Sequence, residues 1–195
     1  MRVLVDEAQA VLTVKRSRFI AFALIAQDAS QAREKLVAVK KQHDSANHVV
    51  HAFQVGPAGE VQGMSDDGEP QGTAARPVTD VIKGADLTFV LVTVVRYFGG
   101  TLLGTGGLVR AYGDSAKLVL SRCKTKEYTP TSPFSFTADY ATYQSVRALL
   151  SKYGATNVSE DYGEQVRAEG IIATSQKDSF AKALKDISHG RILCT

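Results

Sequence analysis

A run of glycines between two arginines is the segment of this sequence best suited to binding chemistry. Arg96 precedes the run, Arg110 follows it, and the glycines are Gly99, Gly100, Gly104, Gly106 and Gly107. The apolar stretch from Leu87 to Tyr97 predicts a buried strand before them, and the pattern from Leu108 to Cys123 predicts a helix after them. Strand, glycines and helix in this order present backbone N–H groups to an anion, and guanidinium groups favour phosphate or carboxylate.

The glycines also have a purely structural explanation. They allow a strand and a helix to pack tightly, with the two arginines paired to local acids. Neither standard nucleotide signature fits, because no GxxxxGK[ST] loop is present and Gly104-x-Gly106 leads to Val109 instead of a third glycine. An anion-binding turn and a purely structural one therefore both stay open, and the sequence predicts no cofactor.

An acidic loop, Ser65 to Gly72, precedes this segment. Its carboxylates belong to Asp66, Asp67 and Glu69. Such groups suit Mg²⁺ or Ca²⁺ binding or acid–base catalysis, but the EF-hand spacing is absent. A third use is favoured, in which the acids clamp a buried arginine that needs a partner. The candidate arginines are Arg76, Arg96 and Arg110. No metal ligand and no catalytic residue is predicted.

Two histidines fall on one predicted strand, Asn47 to Val55. His48 and His51 are three residues apart, so their side chains are expected on opposite faces of the sheet. This argues against a shared metal ion, and a structural or surface role is the simpler interpretation. His48 is nevertheless a candidate for the margin of the anion site.

The positive charge of the chain is modest. The net charge is +3, which is too small to demonstrate a nucleic-acid partner. Basic residues that could extend the anion site are Arg76, Lys124 and Lys126. The two lysines follow a predicted helix, where cations are also expected from the helix dipole alone.

Composition and segment pattern predict a two-domain α+β protein. The chain is 44% hydrophobic and 22% charged, which excludes a disordered tail. Thr129 to Pro133 is the best linker candidate, and it predicts domains over residues 1–128 and 129–195. In the first domain, Thr73 is expected to cap the helix that follows the acidic loop. The second domain has a βαββαβ pattern, in which Arg191 to Cys194 would supply the last strand.

The chain is expected to be soluble and cytoplasmic. Its longest apolar run, Phe89 to Val95, is far shorter than the roughly 18 residues that a membrane span needs. The first residues lack the apolar region of a signal peptide. We therefore expect no membrane partner.

Several motifs in order resemble the signature of the YigZ/IMPACT family. They are Asp66-Asp67-Gly68-Glu69-Pro70, Gly72-Thr73-Ala74, Arg96-Tyr97-Phe98-Gly99-Gly100, Leu103-Gly104 and Gly106-Gly107-Leu108-x-Arg110-Ala111-Tyr112. Lys15, Ser17 and Phe19 resemble its K-x-S-x-F pattern, and Ala46-Asn47-His48 resembles its A-x-H element. Ala75 and Val49 depart from common family residues without removing a charged motif position. The resemblance covers residues 10–125 strongly.

The resemblance implies a fold and a role. The N-terminal domain should be ribosomal-S5-domain-2-like, as in domain IV of elongation factor G, and the C-terminal domain ferredoxin-like, as in its domain V. The family is similar in role to a eukaryotic regulator of translation that acts by binding a partner protein. Likeness to domains that contact RNA adds a fold analogy.

The expected function is a non-enzymatic binding protein linked to translation. RNA, a ribosome-associated partner or another phosphate-bearing ligand would bind at the glycine-rich turn, where Arg and Lys contacts give salt-dependent affinity. Two alternatives remain open. One is a metal-dependent hydrolase or phosphate-binding enzyme that uses the acidic loop. The other is a protein-interaction module that contacts its partner through Asp66 to Pro70.

Overall fold

The computed structural model of the chain describes residues 1–194 and divides into two compact units, Met1–Tyr128 and a second that begins at Thr129. The strands of the first unit are β1 (Arg2–Leu4), β2 (Ala8–Val14), β3 (Ser17–Ile25), β4 (His48–Val55), β5 (Val61–Ser65), β6 (Val90–Tyr97) and β7 (Thr125–Glu127). Its helices are α1 (Ala29–Gln42), α2 (Ala75–Gly84) and α3 (Gly104–Leu120). β1 and β7 pair with each other in a separate two-stranded sheet.

A five-stranded antiparallel sheet organises the first unit, in the order β2-β3-β6-β4-β5. β6 is central because Val90 to Arg96 are buried on both faces, as the continuous apolar run predicts. Helices α2 and α3 cover one face over Val92 and Val94, and α1 covers the other over Leu91 and Val95. Because successive side chains of β6 point to opposite faces of the sheet, this strand contributes residues to a core on each face.

Helix α3 begins earlier than the sequence predicts. The apolar pattern predicts a start at Leu108, but the helix begins at Gly104, whose φ is +73°. Glycine is a poor helix former, so propensity disfavours this first turn. Packing of Leu108, Ala111 and Tyr112 on the sheet outweighs that preference. Gly104 and the two glycines that follow it thus form the N-terminal turn of a long helix.

The second unit has a smaller antiparallel sheet in the order β8-β10-β9. Its elements are β8 (Thr131–Ala138), α4 (Tyr140–Lys152), β9 (Thr156–Tyr162), β10 (Val166–Ala173) and α5 (Lys177–Ile187), with a 3₁₀ turn at Thr174–Gln176. Phe134, Phe136 and Phe180 meet in its core together with Val146 and Leu184. This gives the α+β, βαββα order that the pattern predicts.

Two details of the second unit differ from the prediction. Arg191 to Cys194 do not form the expected last strand, because the N–H groups of Arg191 and Ile192 bond back to the carbonyl and Oγ of Ser188 at the end of α5. The predicted linker also overlaps β8, which includes Pro133. Proline is tolerated there because β8 is an edge strand of this sheet.

Within residues 1–194, no helix has the length and apolar character needed to cross a membrane.

The two units have separate cores, so we expect a cut after Tyr128 to give two fragments that each fold alone. Tyr128 belongs with the first fragment, since its ring packs on Phe89 and its N–H donates to the carbonyl of Met1. Thermal melts by circular dichroism should show a cooperative transition for each fragment. A fragment ending at Leu120, which lacks β7, should melt earlier. Non-cooperative melting of residues 1–128 would contradict independent folding.

Candidate functional site

A buried charged cluster lies at the end of β6. Nη1 of Arg96 donates to Oε1 of Glu69 at 2.7 Å, and the hydroxyl of Tyr112 donates to the same oxygen at 2.7 Å. Arg96 is 5% exposed, Glu69 8% and Tyr112 not at all. Glu69 therefore has the use that was favoured for the acidic loop, because its carboxylate reaches inward to neutralise the buried guanidinium of Arg96.

Strand register explains why Arg96 lies where it does. Arg96 is opposite Phe19 on β3 and opposite His48 on β4, so the three side chains form a row across the sheet. The guanidinium carbon of Arg96 lies 5.6 Å from the centre of the Phe19 ring, and Tyr112 meets that ring edge-on at 5.2 Å. Burial and the hydrogen bond to Glu69 raise the pKa of Tyr112, so its hydroxyl stays a donor.

Asp66 holds the start of α2. Its carboxylate accepts N–H groups from Gly72, Ala74 and Ala75 at 2.7 to 3.1 Å. Burial alone would raise the pKa of Asp66, but these three backbone donors outweigh burial and lower the pKa. The predicted cap, Thr73, instead donates its hydroxyl to the carbonyl of Pro70. An acid far back in the loop thus supplies the cap because the loop folds over the helix end.

Asp67 ties the loop to a strand and to α1. Its Oδ2 accepts the N–H of Val49 at 2.7 Å, and its Oδ1 pairs with Lys40 at 2.6 Å. Its carbonyl oxygen accepts from Nδ1 of His48 at 2.9 Å. A carbonyl only accepts, so Nδ1 of His48 carries a proton, and Nε2 of the same ring lies 3.9 Å from Oε1 of Glu69. The acids of this loop are thus engaged within the protein.

The two histidines of β4 lie on opposite faces of the sheet, as their spacing predicts. His48 lies on the same face of β4 as Val50, which belongs to the core under α2 and α3. His51 lies on the same face as Val49, which is the face covered by α1. Burial and then the charge of Lys40 lower the pKa of His51, although Asp67 opposes this. Within residues 1–194, no group of three His, Cys, Asp or Glu side chains is arranged to hold a metal ion.

A cavity of about 450 Å³ opens above the Arg96–Glu69 pair. Its polar lining comes from Asn47, His48, Glu69 and Arg96, and Gly104 and Thr105 bring in the first turn of α3. Its apolar walls are Pro70, Phe98, Leu102, Leu103 and Leu108. The glycine loop, defined here as residues 98–103 between β6 and α3, forms one wall of this cavity.

The first turn of α3 and the side chain of Arg96 both belong to the lining of the cavity. The N-cap residue of α3, Leu103, provides no side-chain hydrogen bond to the helix, and the Cβ positions of Gly104 and Gly106 face open space. Nε of Arg96 is buried and has no hydrogen-bond partner among the described residues. A helix N-terminus carries partial positive charge, and a buried guanidinium adds to it. The arrangement suits an anion that enters beside Thr105.

The glycines of the motif have different roles. A Cβ on Gly99 would collide with the backbone of Arg16 and Ser17 in the β2–β3 turn, whose Ser17 Oγ accepts the N–H of Gly99 at 3.2 Å. Gly100, with φ of +82°, provides a left-handed bend with open space around it. A Cβ on Gly107 would lie 3.1 Å from that of Leu103. Packing thus explains Gly99 and Gly107 but not Gly104 and Gly106.

The predicted convergence of Arg96 and Arg110 is wrong. Arg110 is exposed and lines a different cavity of about 1030 Å³ between α2 and α3, together with Val109 and Asp114. The reason is the helical period, because Tyr112 faces the sheet and Arg110, two residues earlier, points to nearly the opposite side of α3.

The predicted basic margin does not gather at this cavity either. Arg76 is exposed in the first turn of α2 and is not among the residues that line the cavity. Lys126 lies on β7, which pairs with β1, and the Lys124 N–H bonds to Asp6. β1 lies beside the segment that precedes β6, whereas Arg96 ends β6. The two lysines therefore lie near the end of β6 that is opposite to Arg96.

Sequence reasoning missed two cations that lie against the glycine loop. Lys15 and Arg16 form the two-residue tip of the β2–β3 hairpin, next to Gly99. The signal available in the sequence was a pair of cations between two alternating apolar–polar segments, which a hairpin turn would expose together.

Comparison with known proteins identifies the family of this chain. Residues 15–120 match the Impact N-terminal domain, and residues 136–191 match a domain of unknown function, DUF1949. The chain belongs to the IMPACT family. An IMPACT family member of Haemophilus influenzae is 35% identical over 184 residues, which cover 92% of this chain and 88% of that protein. The IMPACT family member YigZ of Escherichia coli is 32% identical over 181 residues, covering 92% and 89%.

Comparison with solved structures shows a similar fold for nearly the whole chain. A crystal structure of a hypothetical protein has a TM-score of 0.72 at 30% identity and covers 99% of this chain and 95% of its own. A structure described as the two-domain translational regulator Yih1 has a TM-score of 0.41 at 25% identity, covering 59% and 45%. The second overlap is too low to support a structural argument. The IMPACT motifs from Lys15 to Tyr112 all fall within the first matched domain.

Gly99 and Gly106 provide a matched pair of substitutions. Gly99→Ala should destabilise the protein by about 2–3 kcal/mol, because the methyl group meets backbone that cannot move aside. Gly106→Ala should stabilise it by about 0.5–1 kcal/mol, because the position is helical and open. Urea unfolding of the full chain measures both. Equal effects of the two substitutions would show that Gly99 does not hold the loop against the hairpin.

Asp66→Ala should destabilise the protein by about 1–2 kcal/mol, because it removes the acceptor for three backbone N–H groups. The pKa of Asp66 is lowered in the folded state, so its contribution is complete above the unfolded pKa of about 4. The difference between wild type and variant should shrink as the pH falls through the folded-state pKa. Denaturant unfolding across this acidic range measures it, and a difference independent of pH would contradict the charge-assisted cap.

Proposed function

We propose that the protein is a non-enzymatic binding protein that takes a phosphate group of RNA into the cavity at the N-terminus of α3. One observation carries the proposal. The uncapped helix end at Gly104 and the buried side chain of Arg96, whose Nε has no partner among the described residues, belong to the lining of the same cavity. A helix N-terminus beside a guanidinium favours an anion with several acceptor oxygens, and phosphate is such a group.

The chemistry around the donors supports a nucleotide rather than a bare ion. Phe98 and Leu102 form apolar walls beside the polar floor, and both are exposed at the rim. The carboxylate of Glu69 offers acceptor oxygens on the floor, which suit a hydroxyl such as that of ribose. A single-stranded RNA has a backbone that can bend into such a hollow, so it is the form of RNA that we propose.

The link with translation rests on the IMPACT family and on fold analogy. We propose that the N-terminal unit is ribosomal-S5-domain-2-like and that the second unit is a ferredoxin-like domain without the fourth strand over the described residues. Related folds occur in an elongation factor that contacts RNA, which supports a ribosome-associated partner in the cytoplasm. The second unit contributes less to our proposal, because the open face of its sheet exposes Asp161, Arg167 and Glu169 but no aromatic side chain in the described part.

The hydrolase alternative receives less support from the acidic loop. The Asp66 carboxylate accepts three backbone N–H groups, and that of Asp67 is shared between Lys40 and the Val49 N–H. A divalent cation would have to displace these partners. The protein-interaction alternative gains from Leu102, which is 82% exposed beside Phe98. An apolar rim of this kind also suits a protein partner, and competition with RNA would reveal one.

Thr105 tests the proposal without disturbing the core. Thr105→Glu places a carboxylate in the first turn of α3, where it suits the helix dipole and should keep or raise the melting temperature. The same charge should repel phosphate and weaken binding of a fluorescently labelled single-stranded RNA by about tenfold or more. Fluorescence anisotropy measures the affinity.

Thr105→Gln is the matched neutral control and should bind almost as the wild type does. Arg110→Ala, in the separate cavity, should also leave affinity unchanged. Wild-type affinity should fall steeply as salt rises. Absence of salt-dependent RNA binding in the wild type, or equal affinity of the Glu and Gln variants, would overturn the proposal.

A further inference from the structure

The tip of the β2–β3 hairpin has an unusual composition for its geometry. Val14 pairs with Ser17, so Lys15 and Arg16 alone make the turn, which we call the basic tip. Their φ angles are +42° and +68°, and positive φ at both positions is the geometry of a type I′ turn. This turn favours Asn-Gly, since L residues with larger side chains are strained in the left-handed region.

Within the described residues, no salt bridge or side-chain hydrogen bond of Lys15 or Arg16 compensates for this strain. Lys15 and Arg16 are both exposed, and neither makes a salt bridge or a side-chain hydrogen bond in the described part of the chain. Arg18, two residues on, is also exposed and lies over the ring of Tyr97 at 5.4 Å. Residues held in strained conformations are concentrated where function requires them.

The basic tip is fixed against the glycine loop. Gly99 approaches the carbonyl group of Arg16 so closely that no side chain fits between them, and its N–H donates to Ser17 Oγ. Gly99 directly follows Phe98, which lines the cavity of the proposed phosphate site. The two exposed cations of the tip therefore lie beside the rim of that cavity, on a strand neighbouring Arg96.

We propose that Lys15 and Arg16 bind the backbone phosphates of the RNA strand that adjoin the phosphate held in the cavity. This inference rests on the proposed function and names the surface that extends its site. Solvent exposure alone would also suit cations at a hairpin tip. Solvent exposure does not explain why two cations occupy a strained turn that Asn-Gly would relax. A series of phosphate groups that passes the rim of the cavity explains it.

The double variant Lys15→Asn/Arg16→Gly separates structure from binding. Relaxing the turn should raise the melting temperature by about 2–5 °C. Loss of two phosphate contacts should weaken binding of labelled single-stranded RNA and reduce the slope of log affinity against log salt by about 1.4. A protein that becomes more stable while losing RNA affinity would show that the tip is kept for binding.

Lys124→Asn/Lys126→Asn is the matched control, because it removes the same charge at the far end of β6. It should leave both affinity and salt slope near the wild-type values. Lys15→Gln, a single change, should lower the slope by about 0.7 and does not depend on the double variant folding well.

The outcomes distinguish the two proposals. Wild-type RNA binding that responds to Thr105→Glu but not to the double variant of the tip or to Lys15→Gln overturns this inference and leaves the cavity proposal standing. Equal losses in the tip variant and in the Lys124/Lys126 control also overturn it, since net charge alone would then explain the effect. No wild-type RNA binding overturns both proposals, and binding of a protein partner at the tip instead would assign the surface to another class of ligand and overturn it too.

Discussion

The carboxylate of Glu69 is the group on which the N-terminal unit depends. It lies among Arg96 of the central strand, Tyr112 of α3 and His48 of β4, and one of its oxygens receives two hydrogen bonds. A buried guanidinium without this partner would be strongly unfavourable, so the loop that carries Glu69 must close over the sheet. The closed loop also covers the end of β6 and contributes Glu69 and Pro70 to the lining of the cavity above Arg96.

The acids next to Glu69 fix the path of the same loop by different means. Asp66 satisfies backbone donors at the start of α2, and Asp67 joins a strand N–H to a lysine of α1. The carboxylates of Asp66, Asp67 and Glu69 therefore connect helices on both faces of the sheet with the row of side chains that contains Arg96. A motif that resembles a metal or catalytic loop in sequence is, within the described structure, a connector that sets the floor of the cavity.

Much of this could be predicted from local pattern. The apolar run before the glycines gave the central strand, the spacing of His48 and His51 gave their opposite faces, and a buried arginine demanded an acid. The start of α3, the role of Gly99 and the separation of Arg96 from Arg110 could not be predicted. Each depends on tertiary contacts, namely packing of Tyr112, approach of the β2–β3 turn, and the rotation of a helix whose first residue was unknown.

Features that lower stability without an internal benefit are gathered around the glycine loop. Gly106 weakens the first turn of α3 although a side chain would fit there, and Lys15 and Arg16 strain a turn that Asn-Gly would relax. Gly99, in contrast, is required by packing, and it brings these two features together. Natural proteins stay close to the stability they need, so a single feature of this kind has little meaning. Two independent ones, joined by a contact that tolerates only glycine and facing a cavity with unpaired donors, are best explained by an anionic strand that the protein binds there.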